Sequence, residues 1–409
     1  MASSMRLQPH YLSAADFETP IGWSKGSFAD LSVAVHVGKK WENKTVSAQG
    51  SVPVIDQSQL GAIGFHNESP GINCSLEDPV FTFANHTCAM RWMVSPFSCI
   101  QNVFAFKGAE GIETSYLYYA SMGRVVLEEY KGHVPQFRSM WLPVAPSSEQ
   151  LRIGLLLREL DDRIDLLRQT NATLETIAQA LFKSWFVDFD PVRAKAEGRE
   201  PEGMDAATAA LFPNEFEDSE LGPIPKGWTV GRVSDAADIK GGKQLDREQF
   251  APEGRNPIFG GAGEMGRTNL SNADGLVITV GRVGAYCGQF FWHLGPAWVN
   301  NNASSISPAA NSGFWIYWCL RNADIGKIKK GAAQPFVSNS DIAALFVVMP
   351  PQELVSTFHA LALEMHKRMA NLADLASHLT MLRDTLLPRL ISGKLRLPDG
   401  LALAEVDPP

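Results

Sequence analysis

The sequence predicts an α+β protein written twice. Two β-rich domains are separated by two long helices that form an antiparallel coiled coil, and the whole is pseudo-two-fold symmetric. Three observations predict it. Gly22-Trp23 recurs 205 residues on as Gly227-Trp228. At the same shift Leu156, Glu159, Arg163, Leu167, Leu174 and Leu181 fall on Leu361, Glu364, Arg368, Leu372, Leu379 and Leu386. In each copy a region of short apolar runs ends in proline and passes into a heptad-spaced stretch. A repeat this long is neither a solenoid nor a propeller unit. It is a duplicated domain-plus-helix whose two similar surfaces suit a bipartite or pseudo-symmetric ligand, duplex DNA being the common one.

The first β-rich domain spans 1–146. From Ile21 to about Pro146 the runs Val52-Pro53-Val54-Ile55, Val80-Phe81-Thr82-Phe83 and Val103-Phe104-Ala105-Phe106 alternate with Gly, Asn and Pro, which reads as strands and turns. A helix follows over 147–190. Ser147-Ser148-Glu149-Gln150 is a capping-box pattern, and Pro191 is expected to stop the helix. Residues 191–219 are charged, Ala/Pro/Gly-rich and weakly patterned, and read as a linker. The second domain, 220–351, repeats the first in character, with Ile258-Phe259, Val277-Ile278-Thr279-Val280 and Phe346-Val347-Val348. Its loops drift, because Pro96 aligns with Pro296 and Asn102 with Asn302 at a shift of 200. A second helix spans 352–392, ending at Pro388 or Gly393, and 393–409 is a tail.

Each helix, at about 40 residues, would be about 60 Å long. Leu160, Leu167, Leu174 and Leu181 repeat every seven residues, with Leu157, Ile164, Asn171 and Ala178 between them; the second helix carries Met365, Met369, Leu372, Leu379 and Leu386. Both seams need burial, and the simplest burial is against each other. The symmetry of the repeat makes that pair antiparallel, a rod with one β-rich domain at each end. Asn171 and Arg383 are polar intrusions at core positions, and setting register and ordinary tolerance are both open readings.

Composition limits the functional classes. The 409 residues hold two or three compact domains, with 45% hydrophobic and 20% charged residues, as in an ordinary globular protein. No apolar run approaches the roughly 20 residues of a membrane span. Met1-Ala2-Ser3-Ser4-Met5-Arg6 has no apolar core of a signal peptide. Five cysteines, none in C-x-x-C spacing, fit reduced thiols in a cytoplasmic protein and count against a metal site. The net charge of −8 counts against a stand-alone DNA binder. Either a partner holds much of the nucleic acid or the basic residues gather locally.

Catalytic motifs are weak. Phe259-Gly260-Gly261-Ala262-Gly263 fits a glycine loop of adenosylmethionine sites, and Gly261 to Gly266 fits G-x-G-x-x-G. A turn-like stretch, Arg267-Thr268-Asn269-Leu270, follows instead of the helix whose dipole would meet phosphates. A glycine-rich hairpin is the better account. The one Asp-Pro-Pro, Asp407-Pro408-Pro409, lacks the aromatic residue an amino-methyltransferase needs. Gly38-Lys39, Gly242-Lys243, Gly326-Lys327 and Gly393-Lys394 all lack the P-loop hydroxyl. Glu129-Tyr130-Lys131 matches only a fragment of a nuclease motif, and His66, His86 and His133 lack ligand spacing.

What remains are polar and basic loop clusters after strands. The first copy has Lys39, Lys40, Asn43, Lys44, Gln57, Gln59, Asn85 and His86. The second has Lys240, Lys243, Gln244, Arg267, Arg282, Asn300, Asn301, Asn302, Lys329 and Lys330. Lys and Arg neutralise phosphates, and Asn, Gln and Arg read base edges. Any one cluster reads as a solvated turn; their recurrence in both copies is what points to DNA.

The stretch Leu174-Glu175-Thr176-Ile177-Ala178-Gln179-Ala180-Leu181-Phe182-Lys183-Ser184-Trp185-Phe186-Val187-Asp188-Phe189-Asp190-Pro191 strongly resembles the central conserved region of type I restriction–modification specificity subunits. Glu220-Leu221-Gly222-Pro223-Ile224-Pro225-Lys226-Gly227-Trp228 resembles the start of that family's target recognition domain. Leu386-Leu387-Pro388-Arg389-Leu390-Ile391-Ser392-Gly393-Lys394-Leu395 resembles its C-terminal signature. The first copy starts with the shorter Thr19-Pro20-Ile21-Gly22-Trp23. The resemblance implies a non-catalytic subunit that reads double-stranded DNA through two target recognition domains held apart by the helices. It implies two methylation subunits as partners, bringing S-adenosylmethionine, and restriction subunits bringing ATP-driven translocation and cleavage; this chain itself would hold no cofactor. The alternative class is a non-catalytic scaffold with duplicated domains that has lost its restriction role. Sequence-selective DNA retention by the complex with a methylation subunit separates the two.

Overall fold

The computed structural model describes residues 19–58, 61–127, 132–331 and 333–398. The chain divides into two compact units. Of the described residues, one takes those up to Leu166 and from Leu375 onward, the other Leu167–Asp374, so each unit owns one β-rich domain and half of each long helix.

The first β-rich domain is built from β1 (Ser24–Ser27), β2 (Ser32–Val35), β3 (Lys40–Trp41), β4 (Val52–Ile55), β5 (Gly64–His66), β6 (Val80–Ala84), β7 (Met90–Met93), β8 (Ser98–Ile100), β9 (Val103–Gly108) and β10 (Trp141–Val144). They form sheets ordered β2-β9-β6-β7 and β3-β8-β4-β5, with β1 and β10 paired antiparallel. Residues Val80–Ala84, apolar but for Thr82, are buried throughout, as the central position of β6 requires. Phe28, 0% exposed, meets Phe106 and Phe137 at ring distances of 5.1 and 4.5 Å, and these aromatic contacts join the sheet to the short helix Val134–Ser139.

The second domain repeats this plan. Its strands are β11 (Phe216–Ser219), β12 (Gly222–Pro225), β13 (Thr229–Arg232), β14 (Ala237–Gly241), β15 (Asn256–Gly260), β16 (Gly263–Thr268), β17 (Leu276–Gly281), β18 (Phe290–Leu294), β19 (Trp298–Val299), β20 (Ala303–Pro308) and β21 (Phe346–Met349). The order β14-β20-β17-β18 reproduces β2-β9-β6-β7, the order β19-β15-β16 reproduces β8-β4-β5, and β13 pairs with β21 as β1 does with β10. The duplication read from side-chain spacing is therefore a duplication of strand topology.

The long helices run Ser147–Phe186 and Gln352–Ile391, 40 residues each. They pack antiparallel: Asn171 donates from Nδ2 to the Met369 carbonyl at 3.0 Å, while Asp161, ten residues earlier, pairs with Arg383. The seam centre is Leu157, Ile164, Ala178 and Trp185 on one helix and Val355, Ala362, Met369, Ala376 and Leu390 on the other, all buried. Among the seam residues named from sequence, Ile164, Leu167 and Met369 are buried. Leu160, Asn171, Leu174, Leu181, Met365, Leu372, Leu379 and Leu386 are half-buried along the seam's flanks.

Prolines act differently from their sequence reading. The first helix ends at Phe186; Phe189 then takes a left-handed φ of 56°, and Pro191 falls in the first turn of a short helix, Asp190–Ala196, where its missing N–H costs nothing. Pro388 lies inside the second helix, which closes at Gly393 with φ 67°. The weakly patterned stretch after Pro191 is folded. Lys195 donates from Nζ to the carbonyls of Ala209 and Phe212, and Phe212 stands edge-on to Trp185 at 5.3 Å. A half-buried lysine and a buried phenylalanine hold this segment, and neither produces a periodic signal. No helix among the described residues is long and apolar enough to cross a membrane.

Candidate nucleic-acid interface

The second domain gathers its polar loops at the C-terminal end of β17. That strand, Leu-Val-Ile-Thr-Val-Gly, is buried from Val277 to Gly281 and lies between β18 and β20, so it delivers Arg282 to a fixed place. Around it the backbone of four loops is tied together. Gly242 N donates to Ala303 O at 3.0 Å, Lys243 N to Val299 O at 2.9 Å, Asn300 N to Phe259 O at 2.8 Å and Arg282 N to Asn302 O at 3.1 Å. A side chain on Gly242 would stand 2.0 Å from the Asn300 carbonyl oxygen, and one on Gly281 would stand 2.1 Å from that of Gly261. These glycines serve close backbone approach, which is the hairpin reading of the glycine-rich motif and leaves no helix to receive a phosphate.

The fold therefore brings together Lys240, Lys243, Gln244, Arg282 and Asn300–Asn302. Lys240, Lys243, Gln244, Asn301 and Asn302 are exposed; Arg282 is half-buried with its Nε enclosed and without a hydrogen-bond partner. Asn300 is turned inward, 6% exposed, its Oδ1 accepting from Asn301 N at 2.8 Å. Phe336 and Val337 lie alongside, since Val337 N donates to Arg282 O at 3.0 Å and Val283 bridges to Phe336, which pairs in turn with Lys330. This brings in Lys329, exposed, and Lys330, whose ammonium pairs with Asp341 at 2.8 Å. Arg267 stands apart on β16, donating to the carbonyls of Gly254 and Arg255 at 2.8 and 2.7 Å and pairing with Glu264. Exposed Val283, Tyr286 and Phe336 also line this junction. Sequence reading passed over them because an apolar residue beside a strand reads as core.

The first domain repeats the junction with other side chains. Asn85 N donates to Asn102 O at 2.9 Å and Asn85 O accepts from His133 N at 3.0 Å, the pattern of Arg282 with Asn302 and Val337. The Asn85 side chain closes the turn, its Oδ1 accepting from Val134 N at 2.9 Å. Lys40 is turned inward, its Nζ donating to Val103 O at 3.0 Å. Gln57 accepts from His86 N at 3.0 Å. Lys39, Asn43 and Lys44 are exposed, Lys39 beside Glu68 and above the Trp41 ring and Lys44 paired with Glu42. Gln59 lies outside the described residues, as does Glu129-Tyr130-Lys131. Arg91, which sequence reading missed, pairs with Asp56 at 2.9 Å across the strand ends. Trp41 stacks on His66 at 3.9 Å, and burial depresses the His66 pKa despite the nearby Glu68.

Gly281→Ala is expected to cost about 2 kcal/mol, because backbone meets backbone and neither side has a flexible end that yields. Gly241→Ala, whose added carbon meets only an Arg282 side-chain nitrogen at 3.5 Å, is the control. Equal urea midpoints for the two variants would contradict the close-packed junction.

Two copies of one strand topology thus each present a polar loop junction held by the same backbone bonds. Residues 225–362 match the type I restriction modification DNA specificity domain. The chain is 26% identical over 342 residues to the Type I restriction enzyme HindI specificity subunit of Haemophilus influenzae, covering 66% of this chain and 74% of that one. It is 25% identical over 327 residues to the MjaIX specificity subunit of Methanocaldococcus jannaschii, covering 71% of each. The crystal structure of a type I restriction–modification S subunit from M. genitalium matches 93% of this chain and 97% of its own with a TM-score of 0.64; at 16% identity the likeness is one of fold.

Proposed function

We propose that this chain is the non-catalytic reader of a bipartite double-stranded DNA target, each recognition domain reading one half-site. Two methylation subunits dock on it and supply S-adenosylmethionine; restriction subunits supply ATP-driven translocation and cleavage. The observation that carries this reading is the repeated loop junction, which has the same backbone bonds at Arg282 and Asn85 but different side chains. A common frame with unlike contents is what two different half-sites require. Lys240, Lys243 and Lys329 would meet phosphates, and Asn301, Asn302 and Gln244 would meet base edges. The test is selection of bound duplexes from a random pool by the chain in complex with a methylation subunit. Two short motifs at a fixed gap are expected. One continuous motif, or retention without sequence preference, would reject the bipartite reading, and methyl transfer by the purified chain alone would reject the non-catalytic one.

The helices set the gap in this reading. Leu167 and Leu372 are equivalent positions, 205 residues apart, at the middle of the pair. One heptad inserted after each keeps the seam in phase and lengthens the pair by about 10 Å. The selected gap is expected to grow by up to about three base pairs, at about 3.4 Å per base pair, with both half-sites unchanged. Altered half-sites at an unaltered gap would remove the ruler.

A further inference from the structure

We propose that Asp161 and Arg383 are a pairing key, which makes the first long helix pair with the second and disfavours pairing with another copy of itself. The repeat creates the problem that such a key solves. The two helices share their seam at a shift of 205 residues, so either could present a similar apolar stripe to its own copy from a second chain. Most seam contacts carry no information on partner identity. The Asn171 amide nitrogen donates to the Met369 backbone carbonyl, a group any helix offers at that place.

Asp161 and Arg383 differ. Their side chains are 14% and 9% exposed, and the guanidinium spans Asp161 and Asp384, with Nη2 2.7 Å from the latter. Tyr119 completes the set, donating from its hydroxyl to the second oxygen of Asp161 at 2.7 Å. The repeat places Ala178 where Arg383 stands and His366 where Asp161 stands, and both are 0% exposed. The pseudo-symmetric counterpart of the ion pair is thus an alanine and a histidine. Pairing two first helices would set each Asp161 against Ala178, a nearly buried carboxylate without its cation. Pairing two second helices would set each Arg383 against His366, with no added acid. Stripping a buried ion of its partner is strongly destabilising, and a single polar group at a core position is a known way to fix helix pairing.

The experiment erases the asymmetry. Asp161→His/Arg383→Ala in the full chain gives both helices the same histidine and alanine, leaving Tyr119 a ring nitrogen to bond. Chains are refolded from denaturant over a hundredfold range of concentration and their mass is read by light scattering. The parent is expected to refold as a monomer, and the variant to give at least tenfold more dimer at the highest concentration. Leu157→Ala, a seam change without pairing information, is expected to stay monomeric. A monomeric variant overturns the key; so does equal dimer from Leu157→Ala, or a parent that dimerises as readily. Should the double variant fail to refold, Asp161→Asn, Arg383→Gln and their combination decide by denaturation. Each single change should shift the folding equilibrium more than tenfold, and the pair little beyond either one. Additive losses would overturn the proposal.

Discussion

Phe358→Ala is expected to destabilise the protein by about 3–5 kcal/mol, the range for emptying a buried aromatic site. Phe358 is 0% exposed near the start of the second long helix. Its ring meets Phe182, Trp185 and Phe186 of the first helix at 5.7, 5.9 and 5.1 Å, all three edge-on. Trp185 in turn holds Phe212 of the folded connecting segment, and Phe186 meets Trp228 at the threshold of the second recognition domain. Removing one ring therefore opens a cavity where three elements converge, and rigid neighbours on each side limit collapse. Leu361→Ala, three residues on but 45% exposed, should change stability by well under 1 kcal/mol. Guanidinium denaturation of both variants checks this, and equal midpoints would mean that the aromatic cluster does not join helix to helix.

That cluster shows how far the sequence could be read. Heptad spacing and the 205-residue shift identified both helices and their orientation, because a seam repeated every seven residues imposes its period on the chain. The same period emphasised Leu160, Leu174, Leu181, Leu372, Leu379 and Leu386, which are half-buried on the flanks, while Trp185, Phe358 and Leu390 sit deeper. Aromatic residues at helix ends pack on the domains beside them, and that packing follows no period. Arg383 was visible as an intrusion, but its partner Asp161 lies 222 residues away and no local rule connects them.

The loop junction was half legible. Polar residues following apolar runs marked the strand ends correctly, since turns collect Asn, Gly and Lys for reasons written in local chemistry. Which of them face solvent depended on hydrogen bonds to distant backbone. Lys40 and Asn300 are consumed by the fold, whereas Asn301 and Asn302, next in sequence to the latter, are exposed. Exposed Tyr286 and Phe336 carry no sequence mark that separates them from core aromatics.

Acid should weaken the second unit through His366. This residue is 0% exposed, stacked on Phe314 at 3.8 Å and flanked edge-on by Trp292 at 4.9 Å. Its Nδ1 faces the Ala362 carbonyl at 2.6 Å, and its Nε2 is buried without a partner. Burial among apolar rings pushes its pKa down from 6.5 to about 4, outweighing the helpful carbonyl. At pH 7 folded and unfolded states both hold it neutral, so it contributes no pH dependence there. Below about 6.5 the unfolded chain binds a proton that the folded chain refuses, so stability falls with pH until the folded pKa is reached. Over that window of about two and a half pH units, one proton is worth about 3 kcal/mol in all. His359 and His293, also depressed by burial, add to the wild-type slope and remain in any His366 variant. His366→Phe should therefore flatten the stability profile between pH 6.5 and 4.5 by one proton's worth, whatever its cost at pH 7. Urea midpoints measured at half-unit steps give that slope. Parallel losses in parent and variant would show that the imidazole reaches solvent on protonation, and the sealed aromatic setting described for it would be wrong.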